Sequence, residues 1–301
     1  MISHWLEAFR LRTIPLSISG ICMGSFIAFH SGHTDYLIFI IAITTTVLFQ
    51  IISNLANDLG DFEKGTDNDK RIGPARTIQS GKITVYQMKI AIIVTSILSL
   101  LSAFLLIYLA QENMSSKTIF TYLILACFCV IAAITYTVGK KPYGYSGFGD
   151  LMVFIFFGVV GVIGSNTLFT KEIDWSLLLP ASVIGCLSSA VLNLNNMRDI
   201  ANDTDLHKNT IVVKIGQKKA KLYHCFLLVF AFLCLISYSI LKQNYWLSMG
   251  CLPILSLFKH CKIVIKNKKP QELDSELKKV ALTTFLVSLF VGLGLLFQSK
   301  F

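Results

Sequence analysis

The chain has 301 residues, of which 54% are hydrophobic and only 15% are charged. A soluble domain has nearer a quarter of its residues charged, and the mean hydropathy here is +0.65. These values exclude an ordinary soluble enzyme and favour an integral membrane protein. The net charge of +10 is then better explained by membrane topology than by nucleic-acid binding, and we expect no nucleic-acid partner.

The apolar runs divide the chain into nine candidate spans, most of them near the roughly 20 residues that cross a bilayer. A short amphipathic segment precedes them, with Trp5 and Phe9 on its apolar side, and is expected to lie in the membrane interface. We interpret residues 1–301 as one all-α transmembrane domain in the lipid bilayer. The predicted spans are about 14–31, 36–57, 85–110, 118–138, 147–169, 175–197, 220–241, 244–258 and 279–298.

The distribution of Lys and Arg sets the predicted orientation. If the N-terminus is cytoplasmic, 22 of the 27 Lys and Arg residues fall in cytoplasmic segments and four on the opposite side. Positive charge concentrates on the cytoplasmic side of membrane proteins, so the protein is expected in the cell inner membrane with its C-terminus outside. Spans two and six then run in the same direction, and their polar ends meet at the cytoplasmic face.

The first polar motif lies at the end of span two. Asn54, Asn57, Asp58 and Asp61 follow i, i+3/i+4, i+7 spacing, which places them on one face of a helix. Magnesium prefers oxygen ligands, usually one or two carboxylates together with water and substrate phosphates. A solvated helix end is the plainer interpretation, but acids at the end of a membrane span are costly without a function. The motif therefore predicts a Mg²⁺–diphosphate site.

A loop with Gly73 and Pro74, which interrupt a helix, follows this motif. Arg71 and Arg76 lie on it and are candidate phosphate ligands, because Arg binds phosphate in bidentate fashion. Positive-inside topology would also explain these charges without requiring a particular residue.

Other charged residues between the motif and this loop are less clearly placed. Lys64 is a candidate substrate ligand and Asp67 a candidate metal ligand. Asp69 is a weaker candidate, because its spacing fixes no position on a helix.

Tyr136 and Lys140 stand four residues apart at the end of span four. On one helical face, a hydroxyl and an ammonium group would together hold phosphate oxygens. An aromatic belt with a positive-inside lysine explains the same pair. The prediction of substrate binding depends on their facing two acidic motifs on the same side of the membrane.

The second polar motif lies at the end of span six and repeats the character of the first. Asp199 and Asp203 share one helical face with Asn195 and are its strongest candidates for metal binding and catalysis. Arg198 and, further along, Lys208 are candidate substrate ligands. We therefore expect the two motifs to converge on one diphosphate.

Together these residues resemble the UbiA superfamily of membrane prenyltransferases. Within it, the GPAR and NNMRDI…KNT blocks resemble the branch that prenylates 1,4-dihydroxy-2-naphthoate in menaquinone synthesis. The resemblance covers essentially the whole chain. It departs from the superfamily pattern NDxxDxxxD at Gly65, where an Asp is expected, and this leaves the role of Asp67 open.

The resemblance implies a ring of nine helices around a central cavity. It also implies Mg²⁺ as cofactor, polyprenyl diphosphate as donor and 1,4-dihydroxy-2-naphthoate as acceptor, with loss of CO₂. The implied roles are metal binding and catalysis by four acids, and neutralisation of the leaving group by basic residues. The acids are Asp58, Asp61, Asp199 and Asp203, and the bases are Arg71, Arg76, Lys140 and Lys208. Arg10 or Arg12 is a further candidate, for the acceptor carboxylate.

Three alternatives stay open at this point. Another acceptor in the same superfamily, such as 4-hydroxybenzoate, homogentisate or haem, fits the same motifs. A secondary transporter also carries intramembrane acids, but usually near the midplane in broken helices. A structural scaffold leaves the two acidic faces unexplained.

Overall fold

The computed structural model describes residues 2–68, 71–74 and 76–298, so Asp69 lies outside the described residues. All regular secondary structure in the described residues is helical. The α-helices are α1 Ile2–Phe9, α2 Ile14–His30, α3 Tyr36–Glu63, α4 Val85–Ala110, α5 Ser116–Thr135, α6 Gly149–Val153, α7 Ser165–Thr170, α8 Leu178–Asp205, α9 Ile211–Leu241, α10 Cys251–Lys266 and α11 Leu273–Gln298. A π-helix, Phe154–Gly164, joins α6 to α7 into one continuous span.

Nine helical segments within the described ranges are long and apolar enough to cross a membrane, in agreement with the predicted count. Their ends differ from the prediction in one consistent way. The second and sixth spans continue as helices α3 and α8 to Glu63 and Asp205, well past the predicted ends at 57 and 197. The polar motifs are therefore the last turns of these helices, because their side chains pack inside the protein.

Local sequence explains where several helices begin. The side chain of Asp35 accepts hydrogen bonds from the first amides of α3 at 2.9 and 3.0 Å. Thr84 and Gln87 form a capping box at the start of α4, and Thr210 caps α9. Each cap satisfies amides that have no partner within the helix, so the loops between spans end at defined residues.

Helix α8 forms the centre of the bundle. It packs against α9, α11 and the π-helix, and most of its length is buried. A buried hydrogen-bonded chain links the helices outside it: His224 on α9 bonds to His260 on α10 at 2.8 Å, and His260 bonds to Glu276 on α11. The second acidic motif is thus carried by the most firmly enclosed helix.

The π-helix approaches α8 at van der Waals contact between backbones. A Cβ at Gly158 would lie 2.5 Å from the carbonyl oxygen of Ala181 and 2.8 Å from the Cα of Gly185. Small residues allow this approach between membrane helices. A larger residue at position 158 would push the π-helix away from α8.

We expect Gly158→Ala to lower the melting temperature of the purified protein in detergent, because the new methyl group meets backbone that cannot give way. The expected cost is about 1–3 kcal/mol. The matched control is Gly164→Ala on the same π-helix, whose nearest neighbour, Val160 Cγ1, would be 3.9 Å away. Equal melting temperatures for the two variants would contradict the close packing described here.

Candidate active site at the ends of two helices

The polar ends of α3 and α8 meet, as the sequence predicts. Asn202 Nδ2 donates a hydrogen bond to the carbonyl oxygen of Thr66 at 2.9 Å. Lys208, which follows α8, has its Nζ 3.3 Å from Asp61 Oδ1 on α3. The two motifs therefore lie at one end of the bundle, close enough to share a ligand.

Asp58 is almost fully buried and lies between two guanidinium groups. Arg10, from the link between α1 and α2, pairs with its Oδ1. Arg76 Nε lies 3.5 Å from the same oxygen. The carboxylate thus has two cationic partners from segments far away in sequence.

Asp61 is held by a tyrosine and a lysine. The hydroxyl of Tyr145 donates to Asp61 Oδ1 at 2.7 Å, and Lys208 lies over the Tyr145 ring at 4.9 Å from its centroid. Burial alone would lower the pKa of Lys208, but the carboxylates of Asp61 and Asp203 outweigh it and raise that pKa. Lys208 is therefore a permanent positive charge between the two acidic helix ends.

Asp67 is buried in the loop beyond α3. Arg71 Nε lies 3.2 Å from its Oδ1, and Arg76 Nε lies 3.8 Å away. Burial and the nearby charge of Asp61 raise the pKa of Asp67 to about 6. Burial, together with Arg10 and Arg71, lowers the pKa of Arg76 to about 9. Carboxylates therefore lie close to one another here, and so do guanidinium groups.

Asp199 has a bidentate partner. Arg198 Nε and Nη2 donate to its two carboxylate oxygens at 3.0 and 2.7 Å. The same guanidinium also bonds to Asn195 at 2.8 Å and to Asp274 at the start of α11. Arg198 therefore ties α8 to α11 beside the candidate catalytic acid.

Several buried polar atoms of the site have no hydrogen-bond partner. Among the described residues, no three His, Cys, Asp or Glu side chains converge closely enough to hold a metal by themselves. However, buried oxygens of Asn57, Asp67 and Asn202 lack hydrogen-bond donors, and the Nε atoms of Arg10 and Arg76 lack acceptors. Buried polar groups normally have partners. Unpaired acceptors fit a hard cation and unpaired donors fit an anion, so this set of residues fits a Mg²⁺–diphosphate complex.

The remaining predicted residues are placed differently. Asn54 contacts the chain on either side of Arg10: its Nδ2 bonds to the carbonyl oxygen of Phe9 at 2.9 Å and to Thr13 at 3.1 Å. Lys64 is exposed. These contacts show what the side chains do in the protein alone, and their substrate roles stay predictions.

The shared helical face predicted for Tyr136 and Lys140 is wrong. Helix α5 ends at Thr135, and Gly139 has a φ of 109°, which breaks the helix before Lys140. Lys140 is exposed beyond the break, whereas Tyr136 is half-buried against the cavity described next. The turn decides this arrangement, because the four-residue spacing is meaningful only on a continuous helix.

An apolar cavity of about 330 Å³ extends into the bundle from Asn57 and Tyr136. It is lined by side chains of α2–α5 and of the span that contains the π-helix, including the aromatic residues Phe49, Tyr122, Phe156 and Phe157. It passes down to Leu168 near the opposite end. The part of the lining that the structure describes contains no charged side chain, so the interior is suited to a hydrocarbon, and Asn57 connects it to the acidic motif of α3.

The comparison with protein families agrees with this geometry. The model of the UbiA prenyltransferase family matches residues 17–289. The chain belongs to the UbiA prenyltransferase family.

Two curated relatives of this UbiA-family chain match over nearly its full length. It is 40% identical to a 1,4-dihydroxy-2-naphthoate octaprenyltransferase of Haemophilus influenzae over 300 residues, which cover 98% of this chain and 96% of that protein. It is also 40% identical to the protein of the same name in Escherichia coli, over 97% of this chain and 94% of that protein.

A solved structure gives the same fold. The UbiA homologue from Archaeoglobus fulgidus bound to DMAPP and Mg²⁺ has a TM-score of 0.67 and 12% sequence identity, covering 95% of this chain and 98% of that one. At this identity the likeness shows the fold alone. The nine-span helical fold predicted from the sequence is thus confirmed.

Two residues of the UbiA-family site escaped the sequence reasoning. Tyr145 has the appearance of an interfacial aromatic residue, but it binds Asp61 and, at 2.6 Å, Thr66. Asp274 lies in a lysine-rich segment and pairs with Arg198. No spacing rule connects these residues to the acidic motifs, because each reaches its partner from another segment of the chain.

We expect Arg198→Met to lower the unfolding free energy of the UbiA-family protein strongly. The change leaves Asp199 buried without its bidentate partner, and breaking a buried ion pair costs about 3–5 kcal/mol. Melting in detergent, followed by circular dichroism, measures the loss.

The control is Asp274→Asn, whose side chain is 42% exposed and whose loss is expected to cost about 1 kcal/mol or less. The double variant Arg198→Met/Asp199→Leu should recover part of the stability. If Arg198→Met alone melts like the unaltered protein, the pair is not the structural tie described.

Proposed function

We propose that the protein is a Mg²⁺-dependent enzyme that transfers a polyprenyl group from polyprenyl diphosphate to 1,4-dihydroxy-2-naphthoate, with loss of CO₂, to give demethylmenaquinol. The observation that carries the proposal is the 40% identity, over nearly the whole chain, to relatives named for this reaction. The paired acidic helix ends above an apolar cavity support it. An octaprenyl donor follows from the names of those relatives.

The proposed metal ligands are the carboxylates at the ends of α3 and α8. We assign this role to Asp58, Asp61, Asp199 and Asp203, with Asn57 and Asp67 beside them. Magnesium, when bound, would neutralise the diphosphate and make it a better leaving group. Asp58 and Asp199 are held by guanidinium groups in the protein alone, so we expect those arginines to change partner as the substrate binds.

The basic residues then hold the diphosphate. Arg71, Arg76 and Lys208 stand within 4 Å of the proposed ligands and would stabilise the negative charge that grows as the carbon–oxygen bond breaks. Arg198 lies beside them, and Lys64 and Lys140, both exposed, would reach the substrate only if their loops close. Fixed charges that match the developing charge are usually the largest contribution to such catalysis.

The cavity holds the isoprenoid and excludes water from the allylic cation. The faces of Tyr136, Phe156 and Phe157 line it and would stabilise a positive charge. The electron-rich ring of the acceptor attacks that cation at the carbon that carries the carboxylate. A carbon–carbon bond forms, CO₂ leaves, and its bonding electrons restore the aromatic ring. Exclusion of water prevents hydrolysis of the donor.

We place the site at the cytoplasmic face of the cell inner membrane. The segregation of Lys and Arg to one side of the nine spans supports this orientation, and so do the bacterial sources of the two relatives. The anionic groups of both substrates reach the site from the cytosol. The apolar tail of the prenyl donor remains in the bilayer. A second acceptor, such as 4-hydroxybenzoate or homogentisate, is the nearest alternative, whereas membership of a prenyltransferase family argues against a transporter.

The direct test supplies purified full-length protein with Mg²⁺, octaprenyl diphosphate and a panel of aromatic acids, and identifies products by mass spectrometry. We expect demethylmenaquinol and released CO₂ with 1,4-dihydroxy-2-naphthoate alone. A prenylated product from 4-hydroxybenzoate or homogentisate instead would replace the proposed acceptor. Release of diphosphate without any prenylated product would reject the transferase reaction.

Asp58→Asn and Asp199→Asn are each expected to lower turnover by about a hundredfold or more, because an amide is a weaker metal ligand than a carboxylate. The matched control is Asp174→Asn, in the loop before α8, where the acid is 45% exposed and pairs with Lys242 at 3.0 Å. That variant should retain near-normal turnover. Near-normal turnover in either of the first two variants would remove that acid from the proposed metal site.

A further inference from the structure

The link between α1 and α2 is held in a strained conformation over the site. Arg10 has φ 50° and ψ 57°, in the left-handed region that non-glycine residues rarely adopt. Such a conformation is unfavourable for a residue with a Cβ and is kept in place by its surroundings. Here Asn54 provides them, because its Nδ2 binds Phe9 and Thr13 on either side of Arg10. The segment is thus fastened to the acidic face of α3.

The contact that this strained link makes is the ion pair with Asp58. The Arg10 side chain is only 11% exposed, although α1 lies at the surface of the bundle. Its guanidinium meets the same Oδ1 atom that Arg76 approaches at 3.5 Å. Two cations therefore approach one oxygen of Asp58, and the second of them, Arg76, also lies 3.8 Å from Asp67.

Both guanidinium groups beside Asp58 have an N–H group without a hydrogen-bond acceptor. Arg10 Nε and Arg76 Nε are both buried without a hydrogen-bond acceptor. A buried donor without a partner destabilises the folded protein. The arrangement is thus incomplete in the protein alone, and an anion placed beside Asp58 would complete it.

Metal binding and the Arg10 contact compete for the same carboxylate oxygen. The inference therefore rests on the proposed function, in which Asp58 is a Mg²⁺ ligand and a diphosphate lies next to it. We propose that Arg10 is the cationic partner of Asp58 when no metal is bound there and becomes a ligand of the diphosphate when Mg²⁺ binds. The change releases the strained link, so α1 moves as the substrate binds.

The attachments of α1 allow such a movement. Trp5 and Phe9 pack together, with ring centroids 6.2 Å apart, against an apolar cluster that includes Leu59 and Ile83. The only ion pair of α1 among the described residues is Glu7–Lys82 at 2.8 Å, with both side chains about 40% exposed. Exposed pairs contribute little, so Asp58 and Asn54 are the main polar anchors of this segment.

The test measures metal and diphosphate binding separately, in full-length protein purified in detergent. Mn²⁺ binding, followed by electron paramagnetic resonance, is compared for the unaltered protein and Arg10→Ala. We expect Mn²⁺ alone to bind about three- to tenfold more tightly to Arg10→Ala, because Asp58 loses a competing cation. Inorganic diphosphate, added with saturating Mg²⁺, should bind about tenfold more weakly, because one charged donor is missing.

Tighter Mn²⁺ binding together with weaker diphosphate binding distinguishes a change of partner by Arg10 from a purely structural role. General damage to the site would weaken the binding of both ligands. The matched control is Lys242→Ala at the opposite end of the bundle, where the side chain is 38% exposed and pairs with Asp174 at 3.0 Å, and it should leave both affinities unchanged. If Arg10→Ala does not fold, Arg10→Gln carries the same two expectations. An unchanged or weaker Mn²⁺ affinity, or an unchanged diphosphate affinity, overturns the proposal.

Movement of α1 has its own readout. In a protein with Trp175→Phe and Trp246→Phe, Trp5 is the remaining tryptophan, and its fluorescence should change when Mg²⁺ and diphosphate are added together. The change should be absent with Arg10→Ala, and an unaltered Trp5 signal in the parent protein overturns the coupling. If prenyl transfer by the parent protein is normal while these expectations fail, the proposed function stands and only the role of Arg10 is lost.

Discussion

The structure depends on the compensation of buried carboxylates by basic side chains, some adjacent in the chain and some from distant segments. Asp58, Asp61, Asp67 and Asp199 are all buried, and each lies within 4 Å of a Lys or Arg nitrogen. An ionised carboxylate without such a partner would be very costly to bury. The ends of α3 and α8 therefore need the segments that supply these cations.

The same compensation explains how the site would accept its ligands. A Mg²⁺–diphosphate complex brings both a cation and an anion, so it can exchange partners with the acid–base pairs without leaving any group buried alone. Coulombic interactions are stronger in a site of low dielectric constant than in water, so such an exchange is most favourable when the cation and the anion are both present. The unpaired atoms of Asn57, Asp67, Arg10 and Arg76 mark where the exchange would begin.

Packing in the interior places these charges above a hydrocarbon-lined cavity. Backbone contact at Gly158 brings the π-helix against α8, and the aromatic side chains of the π-helix line the cavity. Asn57 lines this cavity and is followed in the chain by Asp58, so the apolar space lies next to the charged helix ends. A donor with an anionic head and an isoprenoid tail matches both regions at once, which is the physical reason for carrying out this chemistry in a membrane.

The sequence by itself determined the local features of the protein. Hydropathy gave nine spans, because the bilayer imposes a length on every crossing, and helical periodicity placed Asp58, Asp61, Asp199 and Asp203 on two faces. The direction of the spans then brought those faces to one end, where Asn202 and Lys208 meet the end of α3. The family resemblance came from the same short blocks.

Only the tertiary structure decided which cation compensates which acid. Arg10 reaches Asp58 across 48 residues, Tyr145 reaches Asp61 across 84, and Arg198 reaches Asp274 across 76. The turn at Gly139 likewise separated Lys140 from the face predicted for it. Spacing along the chain predicts which residues are neighbours on one helix. These contacts instead depend on how separate helices and loops pack, which no local sequence pattern specifies.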